Sequence, residues 1–217
     1  MNLYNIDKGS GVYIQIGAGA GDLDSRSNYR DGFTEFIKRL PREHIKKIIL
    51  VEPNPLNIPL LKECWKDYPE STIYEIGIVP KSYQNDTIDL YYCPLDGPHY
   101  QVASIKKSHI QKEGHYGPNC ELQKFNISAT HLENFINGIT TENIELLSLD
   151  IEGVDAEVIL DTNFTNLKLK YLSFEHYHLE DKREQVLNHL KNNNYEFLGL
   201  GVDYQGFDYL YINGDFK

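Results

Sequence analysis

The chain has 217 residues, 41% of them hydrophobic, with a formal charge of −11 and a pI near 5.1. That length and apolar share suit one domain over residues 1–217 with a single core, and the acidic balance argues against a nucleic-acid partner, whose binders gather Lys and Arg on one face. No apolar run reaches the roughly 20 residues that cross a bilayer, and the N-terminus lacks the charged and apolar segments of a signal peptide, so a soluble cytoplasmic protein with no membrane partner is expected. The three cysteines, Cys64, Cys93 and Cys120, are odd in number, far apart and in no CxxC pair. They read as free thiols in a reducing compartment, with zinc not expected.

In chain order, the first predicted element is a β-branched run over 12–16 that feeds into Gly17, Gly19 and Gly21 and then Asp22. This is a strand entering a ligand loop, because glycine permits backbone angles that a Cβ forbids and lets a ligand lie against free amides. A dinucleotide fingerprint GxGxxG would place its third glycine at position 22, which is Asp22 here. A second strand over 48–52 ends in Glu52, an acid able to accept hydrogen bonds from both hydroxyls of a ribose. The GxGxG spacing followed by such an acid resembles the S-adenosylmethionine site of the class I methyltransferases. That resemblance implies cofactor contacts from Gly17, Gly19, Gly21, Asp22 and Glu52. The span from Gly21 to Glu52 exceeds the roughly 20 residues of a compact βαβ unit, so residues 22–32 form a polar insertion beside the ligand loop. It is a lid or acceptor-binding loop, or a surface loop with no role; Arg26 and Arg30 would meet an anionic acceptor group or simply Asp22, Asp24 and Asp31.

Helical spacing follows over 33–40, and after Glu52 the run Pro53-Asn54-Pro55 stops the strand and opens a helix near Leu56. A third strand is predicted over 71–79, with Glu75 and Ile76 placed to flank the adenine of the resembling site. Between residues 86 and 130 the βα alternation breaks: 87–93 and 125–128 read as strands around an inserted loop over 94–120. That loop carries His99, Tyr100, His109, His115 and Tyr116. Loops of this length are usually functional, and its aromatic and histidine content suits stacking on a sugar ring.

A buried-strand pattern over 144–149 ends in Asp150, and an acid-rich turn leads through Glu152, Gly153 and Asp155 into a helix. This segment resembles the DxEGxExxVL signature of the FkbM-type methyltransferases, with Asp155 where that family has Glu. Leu132-Glu133, where the family has Leu-Asp opening a helix, and the strand ending in Glu175-His176 extend the resemblance. One departure stands at Gln15, where the family has an acid two residues before the first glycine. Gln15 accepts a hydrogen bond but cannot neutralise a ligand ammonium, which shifts that duty to Asp22 or Asp150. The chain closes with a strand over 170–175, a helix over 179–192, and a hairpin of 195–201 with 207–212 around residues 203–206. The expected fold is α/β, a Rossmann-like class I methyltransferase sandwich with a mostly parallel sheet and a C-terminal antiparallel hairpin.

Ligands of such sheets sit at the carboxyl ends of the strands, which gathers the glycines, Glu52, Asp150 and Glu175 in one crevice. The implied reaction is attack of an acceptor oxygen on the methyl of S-adenosylmethionine, with the acceptor's proton removed by Asp150, Glu175, His176 or His178. Alternatively Asp150 and Glu175 hold a divalent cation, Mg or Mn, that acidifies the hydroxyl, while Asp150 could instead cap the following helix. The resemblance points to a small-molecule acceptor, a carbohydrate or glycoside, and a homo-oligomer is compatible with it. Two rival classes are a nicotinamide-dependent oxidoreductase on the same sheet and a non-catalytic binding protein on a methyltransferase fold.

Overall fold

The protein is described by a computed structural model over residues 9–23, 31–96, 102–112, 115–201 and 206–217. Its strands are β1 (Gly11–Ile16), β2 (Ile45–Val51), β3 (Ser71–Tyr74), β4 (Gly77–Ile78), β5 (Thr87–Tyr92), β6 (Gln123–Thr130), β7 (Ile144–Leu149), β8 (Leu169–Glu175), β9 (Tyr195–Leu200) and β10 (Asp208–Asn213). Its helices are α1 (Gly32–Lys38), α2 (Ile58–Cys64), α3 (Lys107–Ile110), α4 (Leu132–Ile139), α5 (Asp155–Asp161) and α6 (Arg183–Asn192).

Seven strands form the main sheet in the order β3-β2-β1-β7-β8-β10-β9. Pairings from β3 through β8 are parallel, and β10 runs antiparallel to both β8 and β9. This is the expected α/β sandwich with its terminal hairpin. Parallel strands covered on both faces must be apolar throughout, and β1 and β7 are buried at every residue. Alternation then divides their side chains between two layers. Val12, Ile14 and Ile16 face a core with Leu132 and Phe135 of α4, Val158 and Ile159 of α5, and Val186 and Leu190 of α6. Tyr13 faces the other core, with Phe33, Phe36 and Ile37 of α1 and with Leu61 and Trp65. The chain leaves β1 toward β2 and β3 on one side, and β7 lies on its other side. The carboxyl ends of β1 and β7 therefore border the crevice where the winding reverses.

Three expectations need correction. The predicted strand over 71–79 is two strands: β3 pairs with β2, whereas β4 pairs with β6 in a separate sheet of order β4-β6-β5. The chain changes sheets at Glu75 and Ile76, and Gly77 packs so closely on the Ile127 side chain that a Cβ there would lie 3.0 Å from its Cδ1. Second, Cys93 and Cys120 are not free thiols; they form a disulfide with Cα atoms 6.4 Å apart, beside the buried Ile110. Only Cys64 is a free thiol, and the pairing removes the ground for a reducing compartment. Third, the helix predicted from residue 179 begins as a 3-10 turn at Glu180–Lys182 before α6. Among the described residues, no helix is long and apolar enough to cross a membrane.

Candidate active site

The glycine loop is laced to the ends of three strands. Gly17 N–H and Ala18 N–H donate to the Val51 carbonyl at 2.9 and 3.0 Å, and Asp150 N–H donates to the Ile16 carbonyl at 3.0 Å. Gly17 has φ +83°, and a Cβ there would lie 1.7 Å from the Asp150 carbonyl oxygen. Position 19 is different. Gly19 has φ +54°, but among the described residues a Cβ on it would meet nothing within 4 Å, so there this face of the loop is open to a ligand. Gly21 packs against the Cys64 side chain of α2, and Asp22 pairs with Lys38 at 3.2 Å.

Glu52 lies one residue past β2 and is 5% exposed. Its Oε2 accepts from Gly19 N–H at 2.7 Å; its Oε1 accepts from Asn54 N–H at 2.8 Å and Asn57 Nδ2 at 3.2 Å. Burial pushes its carboxyl up to about 7 against these donors. A carboxylate oxygen offers about two acceptor sites, so Oε2 keeps one beside the open face of Gly19.

Gln15 is buried, and its Nε2 donates to Asp31 Oδ1 at 2.8 Å. Asp31 Oδ2 accepts from Thr34 N–H at 2.7 Å and so caps α1. Thus an acid from the end of the insertion reaches the position where the family pattern has its own, with burial raising the Asp31 pKa. Sequence reasoning missed this use of Asp31. The readable signal was an Asp-x-x-Thr cap directly before the first helical run.

Asp150 and Glu175 end the neighbouring parallel strands β7 and β8, as expected. Glu152, Asp155 and Asp208, to which the sequence reading gave no role, join them. Desolvation is the first cause of the raised pKa of each acid: Asp150 is pushed well above the carboxylate range and Glu175 up to about 9, both with repulsion from neighbouring acids following, whereas Glu152 and Asp155 reach about 7 by burial against partners that lower them. Glu175 Oε2 and Asp155 Oδ2 are buried with no hydrogen-bond partner. Asp150 does not cap α5; the cap position is Val154, and no side chain bonds there. The signature turn is instead held by the 94–120 segment, since Ser104 Oγ donates to the Glu152 carbonyl and Lys106 Nζ to the Gly153 carbonyl, both at 2.7 Å. Glu152 has φ +50°, a conformation that a non-glycine residue keeps only when its surroundings impose it. That strain had no sequence signal beyond its place in the signature.

His176 has both ring nitrogens engaged, with Gly206 O at 3.2 Å and Arg183 Nη2 at 3.0 Å, and it stacks on Tyr209. His178 stands in the turn after β8 with Nε2 3.5 Å from Glu175 Oε1. Burial and the Lys112 ammonium hold His178 down to about 4. Glu75 is exposed and paired with Lys62 at 2.9 Å, and Ile76 packs half-buried against the core. Asp24, Arg26, Arg30, His99 and Tyr100 lie outside the described residues, as do residues 203–205 of the hairpin turn.

The FkbM methyltransferase domain profile matches residues 15–197. The chain belongs to the FkbM methyltransferase family. This membership answers the nicotinamide alternative and spans the glycine loop, Glu52 and the signature turn. Among solved structures, an FkbM methyltransferase from Methylobacillus flagellatus KT is similar at 14% identity and a TM-score of 0.54, over 94% of this chain and 43% of that one. This FkbM chain thus spans less than half the length of that protein. Fibrillarin from Aeropyrum pernix, solved with natively bound S-adenosyl-L-methionine, aligns at 11% identity and a TM-score of 0.47 over 94% and 66% of the two chains. A Streptococcus mutans protein solved with SAH aligns at 13% identity and a TM-score of 0.45 over 96% and 90%. Among curated proteins none matches significantly.

Proposed function

We propose that this chain binds S-adenosylmethionine over the open face of Gly19, with the ribose on Glu52, and methylates a hydroxyl of a sugar, glycoside or related small molecule. The observation that carries this reading is that Gly19 N–H fixes Glu52 Oε2 at 2.7 Å while no described residue fills the space above Gly19. When bound, the cofactor supplies an activated, positively charged methyl sulfonium. The protein's part is alignment and proton removal. Asp150 and Glu175 carry that role best, because a cation in the crevice favours their ionised form and frees them to take the acceptor's proton. His176 braces β8 against β10 through Arg183 and Gly206, and His178 is too weak a base at about 4 to compete. At the rim, the exposed rings of Tyr177 and Phe207 lie 5.2 Å apart, a surface suited to the apolar face of a sugar.

A hard cation at Asp150 and Glu175 fits only one coordination style. Glu175 Oε2 has a free acceptor site, yet among the described residues the pair is in no set of three clustered metal-ligating side chains. Magnesium accepts that, since it keeps waters and takes one or two carboxylates plus substrate oxygens. Such a role predicts that exhaustive chelation stops methyl transfer and that magnesium restores it.

Mass spectrometry of a hydroxylated acceptor library incubated with the protein and S-adenosylmethionine should show gain of one methyl group on a carbohydrate. Glu52→Ala should weaken cofactor binding by about 2 kcal/mol, or roughly 30-fold. Calorimetry giving equal affinity for the variant and the parent would remove Glu52 from the site.

A further inference from the structure

We propose that His109, His115 and His178 form a binding site for a divalent transition-metal ion, zinc by ligand preference, beside the acidic crevice. The three side chains come from separate places: α3, the segment after it, and the turn after β8. One ligand atom from each lies within 4.8 Å of the others. The ring centroids are 4.9, 4.9 and 5.6 Å apart, with interplanar angles of 83°, 88° and 75°. Three imidazoles on a tetrahedral zinc with Zn–N of about 2.0–2.1 Å place their centroids about 5 Å apart and their nitrogens about 3.4 Å apart, so the ring centres are already spaced for the ion and the nitrogens close in on binding.

Edge-to-face rings also occur in ordinary aromatic packing, and what separates this cluster from that is the cation held against it. The Lys112 ammonium lies 2.9 and 3.3 Å from the two ring nitrogens of His178 and 3.3 Å from His109 Nδ1. A cation thus already sits on two of the three imidazoles, supplied by the protein itself. His115 Nδ1 is buried with no hydrogen-bond partner, which leaves the third ring with an unused nitrogen.

One carboxylate orients His109 from behind, and a second stands near His178. His109 Nε2 lies 2.9 Å from Glu152 Oε2, and His178 Nε2 lies 3.5 Å from Glu175 Oε1. His109, with Nε2 within hydrogen-bond reach of a carboxylate, presents Nδ1 as a ligand, the arrangement that metal-binding histidines use. Gly153 of the signature turn makes the room, since a Cβ there would lie 2.3 Å from His109 Nδ1. Imidazole donors select zinc and its transition-metal neighbours over magnesium or calcium. This site therefore differs in place and in metal from a hard cation at Asp150 and Glu175, and it stands independently of the methyl-transfer reading. Metal entry requires the half-buried Lys112 to swing outward, and the ion then fastens the segment after α3 to the carboxyl end of β8.

The test is titration of the metal-stripped full chain with zinc chloride and with cobalt chloride. The expected result is one equivalent bound, visible cobalt absorption bands of nitrogen ligation, and a raised melting temperature. His115→Ala and His178→Ala should each weaken zinc binding by more than the about 10- to 100-fold typical of losing a residue that only supports a ligand. His178→Gln serves in place of an alanine variant that circular dichroism shows to be unfolded. Lys112→Met should tighten zinc binding about tenfold, because it removes the competing ammonium while keeping the stem; a lysine that merely completes a histidine cluster predicts no metal binding in either form. Absence of stoichiometric binding in both the parent and Lys112→Met overturns the proposal, as does binding that survives His115→Ala and His178→Ala together.

Discussion

Gly17→Ala is expected to lose about 4 kcal/mol of stability or more, and cofactor binding with it. The new Cβ would lie 1.7 Å from the Asp150 carbonyl oxygen, on a residue whose φ of +83° already disfavours any side chain. The obstruction is backbone, so no rotamer change relieves it. The strands on either side cannot retreat, because Gly17 N–H and Ala18 N–H bond to β2 and Asp150 N–H bonds to β1. Gly19→Ala supplies the contrast. Its Cβ meets none of the described residues, so the folding cost is only the roughly 1 kcal/mol of a left-handed alanine, yet that Cβ occupies the face proposed for the ligand. Thermal unfolding and S-adenosylmethionine titration of the two variants read the difference directly. A Gly17→Ala protein that melts like the parent would refute the packing account, and a Gly19→Ala protein with unchanged affinity would take the loop out of the binding site.

The same physics explains what the sequence could reveal. A glycine forced by collision with backbone admits no substitute, and strands buried on both faces have to be apolar, so the glycine loop, β1, β7 and β8 were all legible. The change of sheet between β3 and β4 was not, because apolar residues such as Ile73 and Ile78 look the same whichever sheet receives them. Cys93 and Cys120 meet only because the intervening segment folds back past Ile110, a path that no local pattern encodes. The histidine cluster was hidden for the same reason: residues 109, 115 and 178 carry no metal-ligand spacing, and their meeting depends on how that segment crosses the end of β8. Asp31 was visible as a helix cap, but its contact with Gln15 depends on the return path of the insertion.

The acidic crevice leads to the second large effect: the ligand-free protein should lose on the order of 3 kcal/mol of stability between about pH 6.5 and about pH 8.5. Glu175 is raised to about 9, and Glu52, Glu152 and Asp155 to about 7, in each case first by burial. A carboxyl whose folded pKa lies above its unfolded value keeps a proton that the unfolded chain has released. Its contribution is complete below the unfolded pKa and is lost as pH rises through the folded one. The histidines act in the opposite direction at lower pH. His178, held down to about 4 by burial and Lys112, and His115, lowered chiefly by burial, gain protons on unfolding, so their contribution is lost as pH falls below about 6.5. The four raised carboxyls outweigh the two lowered histidines, so stability should already fall above about pH 5 and go on declining, by about 10 °C in melting temperature between about pH 6.5 and about pH 8.5 for a chain of this size. A cation in the crevice stabilises the ionised carboxylates, so saturating S-adenosylmethionine should flatten the alkaline decline as well as raise the melting temperature. Melting curves at the two pH values, with and without cofactor, separate the two statements. A ligand-free melting temperature that holds steady or rises toward pH 8.5 would mean that the acids are ionised in the folded state, and the crevice would then have no stored repulsion for a cationic ligand to relieve.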